Sequence, residues 1–482
     1  MLKLWRPPGT HHCQERLFKG ARLFTLGFML QRFIRRGAIA VLCAISLSAL
    51  AADNGQLRPV GVARIDITPG YPIRLAGYAV RKTESEGVAQ KLWAKALAFG
   101  SDKDGPAILI TVDNCGVPAA VRDEVVQRLR QKKRINPDRV AVCSTHTHSA
   151  PWLKGYLPNL FVEPIPPEEQ ARVERYTREL TDALETVALN ALKDRQPAKL
   201  SRGLGQANFA ANRRTKGGPA DHALPALFVT DPDGKLRAIF ASYACHCTTL
   251  GGEFNQLCGD WAGYAQEYLE GEHPGTIVLM ALGCAGDANP SPRPGLDLAK
   301  RHGQEICTAV DRVLTNTLSP VQGKLVCRAK RIELPLDTLP TRAEWEARAM
   351  ETNYIGNHAR LNLARLDRGE KLPTTVPYLV QTWTFGKGLA MILLPGEVVV
   401  DYSLRLKREF DASRLWVNAY ANDVPCYIAS ERILKEGNYE GGGAMPYYDK
   451  PARLAPGVEN LIVGAVHDLV PKEFDETRKT SK

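Results

Sequence analysis

The sequence predicts an α/β fold: a mixed β-sheet core flanked by helices in a single large domain. Two observations carry this. From Val60 onward, short apolar runs alternate with stretches of helical period, the pattern of strands exchanging with helices. Of 482 residues, 44% are apolar and 24% charged, which is enough to bury one sizeable core. No internal repeat or low-complexity linker interrupts the stretch from Val60 to Leu469.

Taken in order, Ala107–Val112 reads as a buried strand. Ala119–Lys133 reads as a helix with Val121, Val125, Val126 and Leu129 on one side, and Arg139–Cys143 as the next strand. A long helix is expected over Glu168–Leu192 and a strand over Leu236–Ala244. A helix over Trp261–Leu269 has Asp260 as its cap, and Thr276–Met280 is a strand. Leu298–Thr315 and Arg342–Leu366 each read as one helix. Leu389–Leu394 is a strand that turns through Pro395-Gly-Glu397 into a helix over Val398–Phe410. Leu415–Tyr420 is the last strong strand, and the tail 471–482 is charged and expected to fray.

Of the formal net charge of +11, +7 falls within residues 1–52, leaving +4 for the remainder. That is too weak to argue for an electrostatic partner, and no basic stripe with interleaved aromatics appears, so nucleic acid is excluded. The basic start has another reading. Arg32, Arg35 and Arg36 precede the apolar run Ala38–Leu47, and Ala49-Leu-Ala51 follows with small residues. Residues 1–52 are therefore expected to be a leader with a secretory signal cleaved near Ala51, with Met29 as an alternative start, or else an uncleaved anchor. The expected location is periplasmic or secreted. Nine cysteines follow the leader, in no small-scaffold spacing. One or two pairs are expected in an oxidising compartment. Cys245-His-Cys247 is too tight to hold one tetrahedral ion.

His146 and His148 are two residues apart, just past a strand. In extended backbone they point to the same side. They can share a metal, or one can bind it while the other handles protons. Thr145, Thr147 and Ser149 can orient the rings. His246 also follows a strand of the same quality. Glu397 lies between a strand and a helix, where the helix N-terminus favours its charged form. Two histidines and a carboxylate past strand ends make a plausible metal set with one position open.

These stretches together resemble the catalytic, N-terminal domain of the neutral/alkaline non-lysosomal ceramidases. The motifs are Gly61-Val-Ala-Arg-Ile-Asp-Ile-Thr-Pro69 with Gly77-Tyr78, Thr145-His-Thr-His-Ser-Ala-Pro151, Ala211-Asn-Arg213, and Asp260-Trp-Ala-Gly-Tyr-Ala265. They continue with Gly283-Cys-Ala-Gly-Asp-Ala-Asn-Pro290, Pro395-Gly-Glu397, Tyr427-Ile-Ala-Ser430 and Tyr439-Glu-Gly441. The family order is kept from Val60 to about Gly443, so the resemblance implies one zinc-dependent catalytic domain over residues 60–470. It implies one Zn2+ held by His146, His246, Glu397 and Tyr427. His148 becomes the proton-handling partner, and Arg213 and Tyr439 contact the scissile amide and its oxyanion. The implied reaction is attack of zinc-bound hydroxide on the N-acyl amide of ceramide or a related lipid.

Three departures accompany the resemblance. Ala288 stands where the family has a serine. The family's further C-terminal β-sandwich domain is not expected in the residues that follow Gly443. The stretch between Arg213 and His246 is short. Three readings remain: a ceramidase-like amidase; an exported zinc amidase or esterase acting on a non-sphingolipid; and a non-catalytic binding protein with a degenerate site. The expected partner is a lipid or small-molecule amide, with transient membrane-surface contact if it is a lipid. An apolar groove over His246 and Tyr439 favours the first reading, a narrow polar pocket the second, and a blocked metal site the third.

Overall fold

A computed structural model describes residues 56–476. The leader expected over residues 1–52 lies outside the described residues. The main sheet is mixed. Its spatial order is Ile277–Leu282, Leu236–Tyr243, Ala223–Thr230, Gln196–Gln206, Arg58–Asp66, Trp93–Phe99, Ala107–Val112, Val140–Ser144. Only the two outermost pairs are parallel, Ile277–Leu282 with Leu236–Tyr243 and Ala107–Val112 with Val140–Ser144. Everything between them is antiparallel.

Side-chain alternation divides the two faces, as a period of two requires. Ala94, Ala96 and Ala98, with Ile108, Ile110 and Val112, join the core under the helices. Leu97, Phe99, Ala107 and Leu109 point the other way. They meet Trp383, Phe385, Met391, Leu393 and Trp416 of a second sheet, whose order is Leu325–Pro335, Thr375–Phe385, Leu389–Leu393, Leu415–Asn418. The helix Pro167–Lys193 covers the outer face with Val173, Leu180, Leu184, Val187 and Ala191. Gly61 allows the close approach, because a Cβ there would lie 1.9 Å from the Ala191 carbonyl oxygen.

The two sheet edges meet at one place. Segment 419–422 gives its Ala419 N–H to the Leu282 carbonyl and pairs Ala421 with Cys143. Asn422 N–H donates to the Val142 carbonyl at 2.7 Å. The C-terminal ends of both edge strands are thereby drawn together, and the loops leaving them face a common point.

Several elements differ from expectation. The helix expected over Arg342–Leu366 is two, Arg342–Ala349 and Tyr354–Asp367. Asn353 breaks the run by accepting the N–H groups of Ile355 and Gly356 with its side chain, a competition for which short amides are suited. The helix expected over Val398–Phe410 is Val400–Glu409, because Glu397–Val398 pairs instead as a short parallel strand with Tyr427–Ile428. Asp260 is not the cap residue but the first helical one, at φ 53, and its carboxylate accepts Leu250 N–H and Trp261 N–H. Part of the charged tail is packed: Phe474 is buried and Asp475 bridges Phe410. All nine cysteines of the described residues are buried free thiols.

Candidate metal centre

The first half of the site comes from the loops that leave Val140–Ser144 and Leu236–Tyr243, one strand from each parallel pair. Thr147 and Cys247 form a parallel bridge, which sets His146 and His246 side by side with ring centroids 4.7 Å apart. His146 sits at φ 56, and its Nδ1 bonds to the Cys115 carbonyl. His246 Nδ1 lies 2.7 Å from the Ala285 carbonyl. A carbonyl can only accept, so both Nδ1 atoms carry a proton and both Nε2 atoms face inward, where each can offer a lone pair to a cation.

The second half is the short ladder in which Glu397 and Tyr427 are direct partners. Glu397 Oε2 lies 3.0 Å from His246 Nε2 and 3.4 Å from His146 Nε2. The Tyr427 hydroxyl is 3.5 Å from His246 Nε2. His146, His246 and Glu397 form a buried group whose donor atoms all fall within 4.8 Å. His148 belongs to a different group, with His146 and Cys115. Its Nε2 faces His146 Nε2 at 3.1 Å.

Electrostatics fit a cation at this point. Burial opposes charge on Glu397, yet His146 and His246 hold its carboxyl well below the usual range. Burial, with Arg213 beside it, lowers His246 to about 4, so it is a neutral donor. Burial also opposes charge on His146, but Cys115 and Glu397 outweigh it and raise the imidazole to about 10. Glu397 thus demands one positive charge among the imidazoles, met by a proton on His146 or by a metal ion in its place. The helix N-terminus expected to stabilise Glu397 does something else: Val400 N–H donates to Asp287 Oδ1 at 2.8 Å.

His148 is held neutral. Burial lowers it well below 6.5, and the neighbouring His146 and His246 add to the shift. Its ring rests on Tyr78 at 4.9 Å, and its carbonyl accepts from Arg81, which also binds the Ala76, Gly252 and Phe254 carbonyls. Arg213 reaches in from Ala210–Asn212. It donates to Glu440 at 2.7 Å and to the Tyr427 hydroxyl at 2.9 Å, with Nη1 3.4 Å from His246 Nε2. Tyr439 stands at the mouth, 44% exposed, its ring 5.4 Å from that of Tyr427. Burial, then Glu397, raises its phenol, so it remains a hydrogen-bond donor.

All seven residues singled out in the sequence therefore surround one point. Sequence reasoning missed Tyr448, which donates to Glu397 Oε1, and Tyr420, whose ring lies 4.4 Å from that of His146. It also missed Arg214, paired with Glu440 and Glu436. None carries a periodic or spacing signal.

Fold and site together define an α/β protein with a metal-compatible donor cluster at converging strand ends. The N-terminal family model of the neutral/alkaline non-lysosomal ceramidases matches residues 59–281. That match contains His146, His148, Arg213 and His246, while Glu397, Tyr427 and Tyr439 lie beyond it. The neutral ceramidase of Drosophila pseudoobscura pseudoobscura is 28% identical over 279 residues, 52% of this chain and 39% of that protein. The neutral ceramidase of Drosophila melanogaster is 27% identical over the same shares. The chain's match thus spans about two-fifths of the length of these curated relatives. The crystal structure of neutral ceramidase from Pseudomonas aeruginosa shares the fold, with a TM-score of 0.65 at 19% identity over 87% of this chain and 76% of that one. A ceramidase complexed with C2 gives 0.66 at 18% identity, over 86% and 76%.

Proposed function

We propose that the chain is an exported hydrolase that cleaves the N-acyl amide bond of ceramide or a related lipid, using one zinc ion held by His146, His246, Glu397 and Tyr427. The observation that carries this is the spacing of the donors. Ligand arms of about 2.0–2.1 Å in a tetrahedron place neighbouring donor atoms roughly 3.3 Å apart. Three of the six donor pairs measure 3.0, 3.4 and 3.5 Å. Zinc, when bound, supplies a Lewis acid and makes a water nucleophile available at neutral pH.

The remaining residues divide the work. Neutral His148, beside His146, accepts a proton from the attacking water and returns it to the departing amine nitrogen. Arg213 and Tyr439 direct their donors at the amide oxygen, where negative charge develops. Ala288 offers no hydroxyl, so no step requires one there.

A second reading, an amide or ester that is not a sphingolipid, is favoured by the mouth. A pocket of about 770 Å3 outside Tyr439 is lined by Arg213, Arg214, Asn289, Glu436, Asn438 and Glu440. This is a polar rim where a two-tailed lipid needs an apolar wall. The test is a hydrolysis screen of the purified protein with N-acyl sphingosines, short amides and esters, with and without chelator. Chelator-sensitive release of fatty acid from N-acyl sphingosine is expected. Turnover confined to short polar substrates selects the second reading, and chelator-resistant turnover overturns the metal.

A further inference from the structure

The two oxygens of Glu397 have different surroundings. Oε2 faces the Nε2 atoms of His246 and His146. Oε1 turns away from them and accepts the hydrogen bond of the Tyr448 phenol. Tyr448 is buried, with its ring 6.0 Å from that of Tyr427. A phenol ordinarily keeps its proton at neutral pH, so the hydroxyl donates to the carboxylate.

Tyr448 is itself held in place. It ends the short helical turn Met445–Tyr448, and Asp449 follows at φ 54. Arg365 donates to both Asp449 oxygens, at 2.7 and 2.5 Å, and His358 Nε2 lies 3.3 Å from Oδ1. Both partners come from the helix Tyr354–Asp367. An anchor on an outer helix therefore fixes the residue that orients the buried carboxylate.

We infer that Tyr448 is a positioning residue for the metal: by engaging Oε1 it makes Glu397 a one-oxygen donor, which sets both the affinity for zinc and the preference for a small four-coordinate cation. This rests on the metal site proposed above. Partners of this kind hold a ligand at its working angle, and their loss costs roughly 10–100-fold in metal affinity. Cations that favour six oxygen-rich ligands gain more from a carboxylate free to rotate.

The experiment compares wild type, Tyr448→Phe and Tyr402→Phe. Tyr402 is a buried phenol that donates to the Ala429 carbonyl, not to Glu397. Dissociation constants for Zn2+ and Mn2+ are measured by chelator competition, and unfolding temperatures on metal-free protein. Tyr448→Phe is expected to weaken Zn2+ binding by roughly 10–100-fold and Mn2+ binding by less, while Tyr402→Phe leaves both constants unchanged. Arg365→Gln, remote from the donors, is expected to weaken Zn2+ in the same direction by a smaller factor. Unchanged Zn2+ affinity in both Tyr448→Phe and Arg365→Gln, or equal weakening in Tyr402→Phe, overturns the inference alone. A wild type that binds no zinc overturns the centre and the inference together.

Discussion

The N–H of His148 donates to the carbonyl of Cys247 at 3.3 Å, and this bond ties together two loops a hundred residues apart in the chain. It lies beside the Thr147–Cys247 bridge and sets the distance between His146 and His246. The loops leave the two parallel edges of an otherwise antiparallel sheet, so the donor pair depends on the sheet's edges being drawn together by segment 419–422.

The first consequence separates the paired histidines. His146→Ala and Glu397→Ala each remove a donor from the convergent set and are expected to abolish stoichiometric zinc together with activity. His148→Ala lies outside that set and should keep the metal while turnover falls by about 10²–10⁴, the usual worth of a general acid–base. Metal content by elemental analysis, read beside kcat, decides the matter. Full zinc in Glu397→Ala refutes the set, and lost zinc in His148→Ala makes it a ligand.

Gly77 tests the packing of the His148 ring, the proton carrier proposed above. It sits at φ +88, and a Cβ there would lie 2.3 Å from His148 Cγ and Nδ1. Gly77→Ala must therefore push the ring off its position as well as strain the turn. A displacement near 1 Å costs about 100-fold in rate. The variant is expected to bind zinc normally and lose kcat on that scale. Wild-type kcat in Gly77→Ala shows that the ring has room to spare.

How much of this was legible in the sequence depends on which physical signal each residue carries. His146, His148 and His246 follow apolar strand runs, so their placement at strand ends is readable from pattern alone. Glu397 was readable as a strand-to-helix carboxylate, but its neighbours were not. Its charge is governed by imidazoles from other loops, and Asp287 takes the helix N–H. Tyr427 and Tyr439 emerged only from the resemblance. Tyr448 had no signal, because it sits in Met445-Pro-Tyr-Tyr448 and acquires its role through Asp449 and a helix ninety residues earlier. The alternation of strands and helices correctly gave α/β with a mixed sheet. It left unseen that the centre of the sheet is antiparallel, since hairpin pairing is set by long-range register rather than by local period. The break at Asn353 was visible in principle as a capping side chain inside a helical run.

The anchor behind Tyr448 has a signature in pH. Burial opposes charge on Asp449, but hydrogen bonds from His358 and Arg365 prevail and lower it from 3.8 to about 2. A depressed carboxyl contributes stability that is fully present above its unfolded value and lost as pH falls through the folded one. Wild type should therefore exceed Asp449→Asn by no more than about 2 kcal/mol at neutral pH, given the partial solvent screening. The gap should close between pH 4 and pH 2. Denaturant titrations of both proteins across that range measure it. A gap independent of pH assigns the effect to packing.

Glu440 offers the sharpest separation of stability from catalysis. Its carboxylate is buried and shared, receiving Arg213 Nε at 2.7 Å and an Arg214 guanidinium nitrogen. Burial opposes its charge, while Arg213 and Arg214 lower its pKa. Glu440→Gln leaves two guanidinium groups side by side, with Arg214 retaining Glu436 at 3.1 Å and Arg213 retaining only neutral partners. Removing one member of a buried ion pair costs about 3–5 kcal/mol, and the lower end applies because the Arg213 side chain is 20% exposed. Arg213 also loses the bond that aims its other nitrogens at Tyr427 and the metal point. The expected result is a lower unfolding free energy and a lower kcat at unchanged zinc content, because no donor atom is touched. If stability falls while kcat per folded molecule stays constant, Tyr427 alone aims the guanidinium, and Glu440 serves only to neutralise the pair.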